Sequence, residues 1–185
     1  MCLVAALGFA CPVHAAPVQW TVESGGNGHW YDVVSTPTGI AWTAARDAAV
    51  QMGWQLASVT SHEENEFIFS LVDDANYWWN NFGPWLGGYQ VDKNSEATGS
   101  WAWVDGEPWS FTAWSAGQPD NYLNKEDYLQ YYLPSAGRDS TWNDWENQPP
   151  HEAPVAYVIE SVVPEPSATL LLAFGSLAAW LLRRS

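Results

Sequence analysis

Oxygen-bearing side chains crowd Gly117-Gln118-Pro119-Asp120-Asn121-Tyr122-Leu123-Asn124-Lys125-Glu126-Asp127 and return at Trp142-Asn143-Asp144. A hard cation such as Ca²⁺ takes about six to eight oxygens, drawn from carboxylates and amide carbonyls. Gln118, Asp120, Glu126, Asn143 and Asp144 supply that mixture. Each piece alone has a plainer explanation. Gln-Pro-Asp-Asn is a common turn composition. Glu126-Asp127 ahead of a strand is an ordinary solvated corner, and Trp142-Asn143-Asp144 fits a core tryptophan leading into an Asx-turn. Zinc is disfavoured, because His29, His62 and His151 lie far apart with no i, i+4 pair.

The rest of the composition narrows the function. At 185 residues, 47% of them hydrophobic, the chain suffices for one domain with a core. Its 21 acids against 6 bases give a net charge of -15, which repels phosphate backbones and anionic lipid and so excludes nucleic acid as a partner. Fourteen Trp, 8 Tyr and 6 Phe exclude a disordered chain. No Ser/His/Asp array, phosphate loop or dinucleotide fingerprint is visible. Nothing in the spacing of Glu126, Asp127 and Asp144 designates an acid and a nucleophile for glycoside hydrolysis, so no enzyme is expected.

Outward from the acidic loops, periodicity predicts the elements. Trp20 to Val34 reads as two short strands around Gly25-Gly26-Asn27-Gly28. Ala41 to Met52 carries apolar residues at helical spacing and stops at Gly53. Leu56 to Thr60 reads as a strand. Ser61-His62-Glu63-Glu64 is a capping box, with Glu64 reaching back, and opens a second helix that turns Phe67, Ile68 and Leu71 inward. Trp85-Leu86-Gly87-Gly88, Trp101 to Val104, Tyr128 to Leu133 and Ala156 to Glu160 read as strands. Helices first and a loop-rich β region after them make the class α+β.

The two ends differ from the middle. Residues 1–16 read as a secretory signal peptide, small and apolar with Val13-His14-Ala15 before the break, and they contain both cysteines, Cys2 and Cys11. The mature domain, residues 17–162, therefore has no disulfide and relies on packing and on bound metal. Residues 163–185 open with Val163-Pro164-Glu165-Pro166, continue as the uncharged apolar run 168–182 and close on Arg183-Arg184. The run is short against the roughly 20 residues a spanning helix wants, and it predicts a C-terminal transmembrane helix with the arginines on the cytoplasmic side. These three parts in order resemble the PEP-CTERM sorting signal of bacterial envelope proteins. That resemblance implies processing by an exosortase and a host that makes exopolysaccharide. It also implies an exported, envelope-located protein held in the membrane by its C-terminus before processing and at the surface or extracellular afterwards.

Residues 20–160 resemble the C-type lectin domain. Trp42-Thr-Ala-Ala45, Met52-Gly53-Trp-Gln-Leu56-Ala57-Ser-Val and Ser61-His-Glu-Glu64-Asn65 are similar to its first helix, strand and second helix. Trp85-Leu86-Gly87-Gly88 is similar to its W-I-G motif, Phe111-Thr-Ala-Trp114 to the approach to its sugar loop, and Trp142-Asn143-Asp144 to its W-N-D motif. The resemblance implies two helices, small antiparallel sheets and a long calcium-binding loop region. It also implies that Gln118, Asp120, Glu126, Asn143 and Asp144 hold Ca²⁺ and hydrogen-bond two vicinal sugar hydroxyls. The Q-P-D triplet implies galactose-type preference, with Tyr122 as the aromatic platform. Asp92, Glu96, Asn121 and Asp127 are candidates for a second calcium. Ala49 and Ile159 stand at one cysteine pair of the family, and Tyr128 at another cysteine position. The function implied is calcium-dependent binding of a glycan or exopolysaccharide. The alternative is an interaction or adhesion module of the same fold that binds protein or surface ligands without reading sugar.

Overall fold

Ala45 and Ala49 fall on one face of α1 (Trp42–Gln51), as their spacing predicts, and both are fully buried. The helix ends where Gly53 takes a positive φ of 79°. The second helix, α2 (His62–Val72), buries Ile68 and Val72 and packs Phe67 and Leu71 against the same core. The structure is a computed structural model and describes residues 16–94, 97–133, 137–147 and 153–162. The expected signal peptide, save residue 16, and the expected transmembrane helix at 168–182 lie outside those residues. Among the described residues no helix is long and apolar enough to cross a membrane.

Among the described residues eight strands accompany the helices: β1 (Val18–Gln19), β2 (Trp30–Ser35), β3 (Gln55–Leu56), β4 (Phe82–Gln90), β5 (Trp101–Trp103), β6 (Tyr128–Tyr132), β7 (Trp142–Trp145) and β8 (Ala156–Ser161). The expected small antiparallel sheets are joined. The strand order is β1-β2-β8-β4-β6-β7, with β3 added to β8 and β5 to β4. The join is a parallel contact between β4 and β8 at Trp85 and Tyr157. Farther along β4, Gly87 and Gly88 let Leu56 and Leu129 approach closely. A Cβ on Gly87 would sit 2.7 Å from the Leu56 carbonyl oxygen, and one on Gly88 would sit 2.8 Å from Leu129 Cδ2.

Two expectations are corrected. The strand at Leu56 to Thr60 is only Gln55–Leu56 long, because side chains replace ladder partners beyond it. Ser58 N–H donates to Glu160 Oε2 at 2.9 Å and Thr60 N–H to Glu64 Oε2 at 2.6 Å. Half of the capping box forms, with Glu64 N–H donating to Ser61 Oγ at 3.1 Å. Glu64 itself turns to other donors: the Thr60 amide and hydroxyl, the Tyr31 hydroxyl at 2.5 Å and Asn27 Nδ2 at 2.8 Å. Glu64 is buried, and these donors together satisfy its carboxylate better than the Ser61 amide alone would. His29 Nδ1 meets Glu160 Oε1 at 2.5 Å in the same network, which raises the His29 pKa.

Tryptophan supplies the core. Trp142 and Trp103 meet edge to face at 5.9 Å, and Trp42 packs against Tyr128 at 4.7 Å. The indole N–H groups of Trp42, Trp85 and Trp142 donate to Leu86 O, Ile40 O and Asn65 Oδ1. Ala49 and Ile159, at the positions of a family disulfide, are buried in one apolar cluster. A bridge contributes about 2–4 kcal/mol. Fully burying one large apolar side chain contributes about 1.5–3 kcal/mol, so a few buried rings are a replacement of the right size.

Candidate functional site

The loop ahead of β6 is held by its own amides. Asp120 and Asn121 donate their N–H groups to Asp144 Oδ1 and Oδ2 at 3.2 and 2.8 Å. Tyr122 N–H donates to Glu126 Oε2 at 3.0 Å, and Glu126 N–H to Asn121 Oδ1 at 3.2 Å. The Gln118–Pro119 peptide is cis. Asn121, Leu123 and Asn124 take positive φ values of 44°, 59° and 57°. Asparagine tolerates that region, whereas leucine does not, so Leu123 is an unfavourable residue held out in solvent beside the site.

The loop brings three carboxylates together. Asp120, Glu126 and Asp144 each place an oxygen within 4.8 Å of the others. Glu126 and Asp144 are buried. Burial first, then the charges of Asp144 and Asp120, push Glu126 up to about 8 against the pull of the Tyr122 amide. Burial likewise raises Asp144 to about 6, opposed by the amides of Asn121 and Asp120. Gln118 Oε1 is buried without a donor. Crowded carboxylates and an orphaned amide oxygen, with no thiolate or imidazole among them, fit a hard divalent cation. Gln118, Asp120, Tyr122, Glu126 and Asn143 line one depression of about 220 Å³ together with Phe82, Tyr132 and Trp145.

The sequence-predicted first set is thus gathered in one place, with Asp144 buried behind it. The described members of the proposed second set have partners within the protein. Glu96 lies outside the described residues. Asp92 Oδ1 accepts from the Asn94 amide at 3.0 Å, closing its own turn. Asn121 Oδ1 is engaged by Glu126, and Asp127 Oδ2 takes Lys93 Nζ at 2.6 Å. A resident ammonium therefore stands against the carboxylate that a second calcium would use. The sequence reading missed the aromatic wall. Period-2 alternation from Asn143 to Trp145 and from Gln130 to Tyr132 was the available signal for two of its members.

Comparison with known proteins places the chain among similar sequences and folds. Residues 162–185 match the PEP-CTERM protein-sorting motif. A galactose-specific lectin, nattectin of Thalassophryne nattereri, is 32% identical over 46% of this chain and 50% of its own length, so the match spans half of that relative. An alpha-N-acetylgalactosamine-specific lectin of Patiria pectinifera is 28% identical over 78% of this chain and 86% of its own. Among solved structures, the C-type lectin CEL-I from Cucumaria echinata matches at a TM-score of 0.54 and 28% identity, covering 73% of this chain and 91% of that one. A calcium-independent type II antifreeze protein matches at 0.56 and 25% identity, over 80% of this chain and 95% of that one. None of these is named as an enzyme. A sorting motif of the kind at 162–185 implies export and cell-surface sorting. The chain has the fold of the C-type lectin domain and carries a PEP-CTERM protein-sorting motif at residues 162–185.

Proposed function

We propose that residues 17–162 bind galactose-type glycans through a calcium ion held by Gln118, Asp120, Glu126, Asn143 and Asp144. The observation that carries this is the meeting of Asp120, Glu126 and Asp144 within 4.8 Å beside the donorless Gln118 Oε1. A bound calcium would neutralise those carboxylates and offer open coordination positions to two vicinal hydroxyls. The chain's own groups do the rest. Gln118 donates from its amide, Asp120 accepts, and the pair orients one hydroxyl as acceptor and its neighbour as donor. Tyr122, 63% exposed at the rim, offers a face to the apolar side of the ring. The galactose and N-acetylgalactosamine specificities named for two relatives support the sugar class.

On the same reading, residues 1–16 direct export. Residues 163–185 hold the chain in the membrane through a helix at 168–182 until an exosortase processes it, leaving the domain at the envelope or outside the cell to meet exopolysaccharide. A glycan array run with millimolar Ca²⁺ and again with chelator tests the site. Calcium-dependent signals on galactose-terminated glycans are expected, and blank arrays in both conditions would refute it. The second reading, a surface-binding module that needs no calcium, is favoured by the calcium-independent antifreeze match and by the exposed Tyr122-Leu123 pair. It predicts ligand capture that chelator leaves untouched.

A further inference from the structure

We propose that the aromatic row Trp79, Phe82 and Trp145 is a second sugar subsite, so that the ligand is a neutral oligosaccharide or polysaccharide chain rather than a single terminal hexose. The proposal rests on the carbohydrate reading of the cation site and adds to it the class of glycan.

Phe82 and Trp145 line the carboxylate-bearing depression together with Tyr122. Their rings lie 4.1 Å apart at 34°, and Trp79 continues the row by stacking on Phe82 at 5.7 Å and 27°. Trp79 in turn lines a second depression of about 110 Å³ with Pro37, Thr38 and Gly39. The two depressions are therefore joined by a row of packed rings, none of them fully buried. A single hexose at the cation reaches only the first. A chain of sugars crosses the row into the second.

The row is built to stay in place. Trp79 N–H donates to Phe82 O at 2.9 Å and Phe82 N–H to Trp79 O at 3.0 Å, closing a tight turn over Asn80 and Asn81. Phe82 is also the first residue of β4, in register with Tyr132 of β6. A rigid aromatic face loses little freedom on binding. Asn80 and Asn81 are exposed at the turn, where their amides can both donate to and accept from hydroxyls. No charged residue lies in the turn or among Pro37, Thr38 and Gly39. Flat apolar faces flanked by uncharged amides suit pyranose rings, whose apolar faces stack and whose edges carry hydroxyls. The net charge of -15 turns away acidic polysaccharides.

The test is calorimetric titration of the exported chain in millimolar Ca²⁺ with methyl β-galactoside and with a galactose-terminated neutral tetrasaccharide. The tetrasaccharide is expected to bind about tenfold tighter, equivalent to about 1.4 kcal/mol. Trp79→Ala is expected to remove most of that advantage and to leave the monosaccharide affinity unchanged, which also reports that the variant is folded. Trp79→Phe should restore part of it. Equal affinities for the two ligands in the unmodified chain would overturn the second subsite while the cation site stands. Loss of both ligands to the same degree in Trp79→Ala, at an unchanged melting temperature, would also overturn it. Failure of both ligands to bind the unmodified chain in calcium would overturn this proposal and the carbohydrate reading together.

Discussion

Lys93 sets its ammonium 2.6 Å from Asp127 Oδ2, with the Tyr128 ring centre 4.5 Å away on the same side. Asp127 is nearly buried and Lys93 about half exposed. The domain is therefore expected to take one calcium per chain, by calorimetry or equilibrium dialysis. Lys93→Ala should lower stability by about 1 kcal/mol, because it leaves a buried carboxylate without its cation while solvent still screens part of the loss. A stoichiometry of two in the unmodified chain would show that the ammonium gives way to a metal.

Calcium should raise the melting temperature. Binding to the native state alone stabilises by RT ln(1 + [L]/Kd), about 2.7 kcal/mol at a hundredfold excess over Kd. For a domain of this size that is a rise of roughly 5–10 °C. Glu126→Gln and Asp144→Asn should abolish it. A melting curve that does not move between chelator and millimolar Ca²⁺ counts against the site.

The pH dependence should reverse sign with calcium. Without metal, burial pushes Glu126 up to about 8 and Asp144 up to about 6, above the ordinary carboxylate values of 4.5 and 3.8. The native state then holds more protons than the unfolded chain, so stability falls as pH rises from the ordinary carboxylate range toward 8. With metal, the carboxylates must be ionised to coordinate, so affinity falls on acidification and binding at neutral pH releases protons. Melting temperatures measured from pH 5 to 8 in chelator should decline, and Glu126→Gln should flatten that decline.

Exchanging Gln118→Glu and Asp120→Asn keeps the ligand count and the net charge. Calcium affinity should survive while glycan preference moves from galactose-type toward mannose-type. Tyr122→Ala should weaken galactose binding about fivefold, or about 1 kcal/mol, with the melting temperature unchanged because the ring is exposed. Unaltered preference on a glycan array after the exchange would mean that this loop does not read sugar.

Protein isolated from its host should end near residues 164–166. Intact-mass measurement decides this, and a chain recovered through Ser185 would point to an uncleaved anchor.

The cation ligands were legible because four of the five lie within three residues of another member along the chain, so composition and spacing alone expose them. The aromatic row was not. Phe82 reaches Trp145 only through the successive pairing of β4 with β6 and β6 with β7, and register between distant strands is not written in either segment. Glu64 misled for a related reason. The capping pattern is local, and it lost to Tyr31 and Asn27, which arrive from 33 and 37 residues away.

β8 ends at Ser161, where the sorting segment begins, and it lies in the middle of the sheet rather than at its edge. All six of its residues are in register with β2, from Trp30 against Ser161 to Ser35 against Ala156. Tension on a tether at this end runs along the strand axis and loads that ladder in shear. Its hydrogen bonds share the load and yield together instead of unzipping one after another. If the proposed tether forms, the domain would hang from its central strand, and pulling on a bound polymer would not open the fold from the point of attachment.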